Sequence, residues 1–222
     1  MAPAVVILPA EGADAGATVE ALERQTRAPA QIIVVESGAQ FADAIHDATA
    51  ADPSWVWLLD SGVLPEPNAL ESLLSAAESS AAAALLVSKV LSADGTLDPL
   101  SLPVPEVHRG ERVLAALEQH AVALRVARRG SMLIRRDALQ TIDARQVLER
   151  DLEWTARLLK REPGLLVPAS VVVRAQTQQR MARAQVATTL RLLAALEGRE
   201  RLWFAVHFGE QALALRRPRA QR

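Results

Sequence analysis

Asp60 ends the run Trp55-Val56-Trp57-Leu58-Leu59 and stands just ahead of Gly62, Pro65, Pro67 and Asn68. Tryptophans on alternate positions followed by two leucines read as a buried strand of about six residues. The prolines forbid its continuation, and Asn68 is a good N-cap for the amphipathic helix begun by Leu70, Leu73 and Leu74. A carboxylate at the carboxyl end of such a strand lies where open α/β sheets hold their ligands, so Asp60 is a candidate ligand contact at the rim. On local grounds alone it serves equally as a turn or helix-start residue. Glu36 is placed in the same way, after Ile32-Ile33-Val34-Val35 and before Ser37-Gly38, and its alternative is a solvated strand-end acid. A third acid, Asp151, lies one helical turn ahead of Thr155, with Glu153 on a different face. Its plainer readings are a helix-surface acid near the N-terminal dipole, or an ion pair to Arg150 or Arg157.

Other chemistries find little support. The absence of Cys removes disulfides, thiolate metal sites and thiol nucleophiles. His46, His108, His120 and His207 stand singly, without metal-ligand spacing. Gly12, Gly16 and Ser37-Gly38 form neither a dinucleotide fingerprint nor a Walker loop, which disfavours nicotinamide and ATP chemistry. A formal net charge of -1 offers no general attraction to nucleic acid, and stacking residues are scarce, with Tyr absent. The arginines at 125, 128, 129, 135 and 136 can line an anion site, although strand alternation points some of them to solvent.

The elements that must position these acids alternate in the first half. Strands are expected at Val5 to Leu8, Ile32 to Val35, Trp55 to Leu59 and Ala83 to Val87, and helices at Thr18 to Thr26, Phe41 to Ala50 and Leu70 to Ala77. Strands separated by single helices imply parallel pairing through right-handed crossovers. Beyond a weakly patterned stretch from Ser92 to Arg129, the sequence predicts a helix at Glu111 to Glu118 and strands at Ala121 to Val126 and Ser131 to Ile134. Helices follow at Arg136 to Leu139 and Val147 to Arg161, then a final strand or pair of strands around Pro168. Two helices, Arg180 to Leu196 and Arg201 to Leu215, hinge at Gly198. With 222 residues and 50% apolar content, the chain can bury one large α/β core.

Four segments in this order resemble the family 2 glycosyltransferases of the GT-A fold: VVILPAEG with IIVVESG, WVWLLDSGVLPEPNAL, GSMLIRRDAL and ERDLEWTARLL. The resemblance runs from about Val5 to Arg174. It implies a GT-A-like, Rossmann-like mixed and mainly parallel sheet flanked by helices, with residues 1–175 as the nucleotide-sugar domain and 176–222 as a C-terminal helical extension. The implied activity is sugar transfer from a nucleotide diphosphate donor to an acceptor hydroxyl, with inversion. Such transfer needs a base for the acceptor proton and positive charge for the departing diphosphate. The resemblance assigns the base to Asp151, nucleoside contacts to Glu36 and the backbone around Pro9 and Glu11, and the diphosphate side to Asp60 through Mn²⁺ or Mg²⁺.

Three departures all concern charge at that centre. Gly62 stands where the family has the second metal acid, Arg174 where a His often joins the metal, and Arg150 where an acid precedes the base. A hard cation wants several oxygen ligands, and Asp60 alone is a poor set. Either guanidinium groups, Arg174 among the nucleotide-sugar contacts, take the cation's place, or the chain is a silent relative that binds a nucleotide, a glycan or a partner. The expected acceptor is a glycan or lipid-linked sugar of a cell-envelope polysaccharide. No leader or membrane-length apolar run is evident, giving a cytoplasmic expectation. The apolar bulk of Leu202, Trp203, Phe204, Val206 and Phe208 with a basic end fits peripheral membrane contact, or packing on the domain or in a homodimer.

Overall fold

The computed structural model describes residues 4–8, 15–36, 40–50, 53–98, 104–105, 121–143, 147 and 150–175. The chain divides into two compact units, Met1–Thr177 and Gln178–Arg222. The two C-terminal helices, the Glu111 to Glu118 helix, Pro9, Glu11 and three of the four histidines lie outside the described residues.

Among the described residues nine strands form the sheet: β1 (Ala4–Leu8), β2 (Gln31–Val34), β3 (Trp55–Asp60), β4 (Val63–Pro65), β5 (Leu85–Ser92), β6 (Val104–Pro105), β7 (Val122–Val126), β8 (Ser131–Arg135) and β9 (Gly164–Arg174). Their spatial order is β2-β1-β3-β8-β5-β9-β7-β6, with β4 paired to β9. The described helices are α1 (Ala15–Glu23), α2 (Phe41–Ala50), α3 (Ala69–Ser79), α4 (Arg136–Gln140) and α5 (Asp151–Leu159). The architecture is the expected α/β class with a mixed sheet.

Direct parallel neighbours are β1 with β2, β1 with β3, and β5 with β9. The sheet's middle is antiparallel, because β8 inserts between β3 and β5. Fewer neighbours are therefore parallel than the strand-helix alternation alone suggested, since a short return strand satisfies both edges without a crossover. Even so β1, β2, β3, β5 and β9 run one way, and their carboxyl ends share one rim.

Period-two alternation in β3 sends Val56 and Leu58 into one core and Trp57 and Leu59 into the other. On the first face lies the α2 stripe of Phe41, Ala44, Ile45 and Ala48, together with Ala138, Leu139, Trp154 and Leu158 of α4 and α5. The second face takes Leu22 of α1 and the α3 stripe of Leu70, Leu73, Leu74 and Ala77. These spacings of three and four residues put each apolar set on one helical face.

Asn68 precedes α3 but makes no side-chain cap bond. Gln25 does the capping from a distance: its Oε1 accepts from Leu70 N at 3.0 Å while its Nε2 donates to Glu66 O at 2.7 Å. The final strand pattern is one strand, β9, whose register against β5 shifts between Ser88 and Lys89. A buried hydroxyl chain crosses this irregularity, with Trp57 Nε1 donating to Ser131 Oγ, and Ser88 Oγ bonded to both Ser131 and Ser170. Each buried hydroxyl thereby finds a partner, as burial requires.

Candidate functional site

The shared rim gathers charge from five separate parts of the chain. β3 ends in Asp60 and β9 ends in Arg174. Asp98 follows the turn after β5, where its N donates to Val90 O at 2.9 Å. The turn between β7 and β8 supplies Arg128 and Arg129, and α5 begins with Asp151.

Local structure fixes each position. Past Asp60 the chain reverses through Gly62, whose φ of 76° is a left-handed conformation that side chains disfavour. Gly62 N donates to Thr18 Oγ1 at 3.0 Å, and Gly62 O accepts from Ala175 N at 3.0 Å, so the end of β3 is tied to α1 and to the end of β9. The β7–β8 turn is pinned from three sides. Asp60 N donates to Gly130 O at 3.1 Å, Thr155 Oγ1 donates to Ala127 O at 2.8 Å, and Arg129 N donates to Asp151 Oδ2 at 3.0 Å.

Asp60 is 8% exposed, so it is a buried acid rather than a solvated rim residue. Arg129 Nε lies 2.9 Å from its Oδ1, and Arg174 Nη2 lies 4.0 Å from its Oδ2. The Arg129 contact is a charge pair without hydrogen-bond alignment, and Oδ1 makes no hydrogen bond. Arg174 Nε donates to Asp98 Oδ2 at 2.9 Å, and Asp98 is only 3% exposed. Burial pulls the Arg128 guanidinium below its ordinary pKa, and the charges of Asp151 and Asp98 oppose that pull. Three acids and three arginines thus share one buried rim. Mutual compensation is what makes such burial tolerable.

Asp151 occupies the first turn of α5; Val147 is helical as expected, but Arg150 is not, so the expected helix from Val147 to Arg161 is interrupted just before Asp151. Its Oδ1 accepts from Leu152 N at 2.8 Å and its Oδ2 from Arg129 N. An ionised carboxylate has about four acceptor positions, so these two bonds leave room for a substrate proton. Backbone amides thus hold both oxygens of its carboxylate, and Arg150 instead reaches Glu153 Oε2 at 3.5 Å on the outer side of the helix. Arg150 therefore does not join Asp60.

Glu36 is exposed, and its N donates to Gln40 Oε1 at 3.2 Å. It lies beyond the end of β2, on the same rim as Asp60 but two strands across, about 10 Å of sheet width. Asp60 and Asp151 are thus joined through one residue, Arg129, while Glu36 stands apart from the ion pairs.

The residues present do not suit a divalent cation. Among the described residues no group of three or more His, Asp or Glu could hold one, and Asp60, assigned to the metal by sequence, faces guanidinium on both oxygens. Sequence reasoning missed Asp98 altogether. A lone Asp in a weakly patterned stretch gives no signal until the fold buries it against Arg174. Arg128 and Arg129 were visible as part of a basic stretch, but which of its members face the rim was not.

No protein-family model and no curated protein matches the sequence. The structure is similar to S. aureus TarS 1-349 in complex with UDP-GlcNAc, with TM-score 0.56 and 12% identity over 96% of this chain and 73% of that one. It is similar to GalNAc-T7 with UDP, GalNAc and Mn²⁺, with TM-score 0.53 and 9% identity over 81% of this chain and 45% of that one. A third likeness is A197 from STIV, with TM-score 0.51 and 11% identity over 77% of this chain and 84% of that one. The chain spans less than half the length of GalNAc-T7 and of the longer TarS structure. At such identities the likeness concerns architecture: this protein has the mixed α/β fold of GT-A glycosyltransferases.

Proposed function

We propose that the protein is a glycosyltransferase that moves a sugar from a nucleotide diphosphate donor to an acceptor hydroxyl with inversion, residues 1–175 forming the transferase domain. The carrying observation is the linkage of Asp151 to Asp60 through Arg129 at the carboxyl rim of the parallel strands. Fold neighbours solved with UDP and with UDP-GlcNAc support a donor of this class. Asp151 takes the acceptor proton as the acceptor oxygen bonds the anomeric carbon, and the bond from that carbon to the diphosphate breaks. Arginine at the rim meets the charge that develops on the leaving diphosphate. Glu36, with the backbone around Pro9 and Glu11, holds the nucleoside, and the acceptor is a glycan or lipid-linked sugar.

Calorimetric titration with UDP, GDP and dTDP, followed by donor turnover, tests this reading. Asp151→Asn is expected to leave nucleotide affinity within about twofold while lowering transfer by roughly 10²- to 10⁴-fold. Equal turnover in the variant excludes Asp151 as the base. A second reading, a silent relative that only binds, is favoured by one observation: all three rim acids already have partners within the protein. Nucleotide binding with no turnover on any donor would select it.

A further inference from the structure

We infer that Asp60 serves as an internal anion that holds Arg129 and Arg174 ready, and that a donor diphosphate takes these guanidiniums over without a divalent cation. The inference rests on the nucleotide-sugar reading above and deepens it.

The geometry carries it in three steps. Arg129 and Arg174 approach different oxygens of the one Asp60 carboxylate, so a single anion gathers two cations that the β7–β8 turn and the end of β9 deliver. Asp60's hold on them is loose: one contact lacks hydrogen-bond alignment and the other is 4.0 Å long. A diphosphate offers aligned oxygens to planar guanidinium donors and forms the stronger charge-assisted bonds. When the Arg129 side chain turns to a diphosphate, its backbone N stays on Asp151 and the turn stays on Thr155. Arg174 keeps its place through the bond from its Nε to Asp98, which leaves the other end of its guanidinium directed toward Asp60. The same contacts place arginine where a cation on Asp60 would have to sit, and like charges exclude one another there.

This arrangement gives Asp60 a sign opposite to that of a metal ligand. As a ligand to a cation, its loss would abolish diphosphate binding. As an internal competitor, its loss frees positive charge, while an Asn of nearly the same shape keeps the space filled.

The test is calorimetry of the full chain with UDP, GDP and dTDP, each in EDTA and in Mn²⁺. The nucleotide that binds should do so with the same Kd, within about twofold, in both buffers. Asp60→Asn should tighten binding by roughly two- to tenfold, the size expected for removing one negative charge that competes with the diphosphate. Arg129→Ala should weaken it by roughly ten- to a hundredfold, and Arg129→Lys by less, since a point charge replaces a fork. Melting curves confirm that each variant is folded, and the wild-type comparison needs no variant. Binding that requires Mn²⁺, or an Asp60→Asn affinity equal to or weaker than wild type, overturns the inference and leaves the nucleotide reading standing. Failure of wild type to bind any of the three in either buffer overturns that reading and the inference with it.

Discussion

The two rims of the sheet each carry an arginine-carboxylate cluster, and the clusters differ in almost every physical respect. At the carboxyl rim Asp60, Asp98, Asp151, Arg128, Arg129 and Arg174 come from distant parts of the sequence and are largely buried. At the opposite rim Arg135, across from Trp55 at the start of β3, pairs with Asp137 two residues on and with Glu162. It also donates to the carbonyls of Ala82 and Ala83 at 3.4 and 3.2 Å, stitching α4 and the preceding strand to the loop before β5. Asp137 is 66% exposed at its side chain, so water and salt already share that load. One cluster is an ordinary surface clamp. The other concentrates charge in a low-dielectric rim, which a fold does not need for stability and which a charged ligand can use.

The comparison breaks most readily at Arg174. Arg174→Met removes the arginine paired with buried Asp98 and weakens compensation of Asp60, and the expected cost is about 3 kcal/mol in urea unfolding. A cost below about 1 kcal/mol would make the carboxyl rim no different from the clamp. On the clamp side, Arg135→Gln is expected to cost about 1 kcal/mol. Roughly half of that should disappear between low salt and about 1 M NaCl, whereas the Arg174 effect should persist, because burial shields it from screening.

The smallest effect is the most diagnostic in sign. The bond from Arg135 Nε holds the Asp137 carboxyl below its usual range, with the Ala138 N–H adding to the pull. A depressed carboxylate contributes stability that is fully present above the unfolded value of about 3.9 and is lost as pH falls through the folded value. The stability gap between wild type and Asp137→Asn should therefore be flat above about pH 5 and close below about pH 4. A gap that instead widens in acid would mean that the pair is not the source of the shift.

Periodicity made most of the described fold legible. The helices expected at Phe41 to Ala50 and Leu70 to Ala77 and the strand expected at Ala121 to Val126 appear as α2, α3 and β7, because helix and strand repeats are properties of adjacent residues. The β7 alternation also leaves Arg125 exposed, one member of the basic stretch of which some were expected to point to solvent. What was misjudged is non-local. The short β4 has too few residues to show a pattern, the cap of α3 comes from Gln25 more than forty residues away, and β8 enters the sheet between β3 and β5.

Sequence alone determined that Asp60 ends a buried strand and that arginines cluster near residue 129, since both are written in neighbouring side chains. Only the tertiary structure decided that these two meet, that Arg174 and Asp98 join them, and that Asp60 faces guanidinium on both oxygens. The reason is that an ion pair between strand ends depends on sheet order and register. Those follow from how the two cores pack, not from the spacing of charges along the chain.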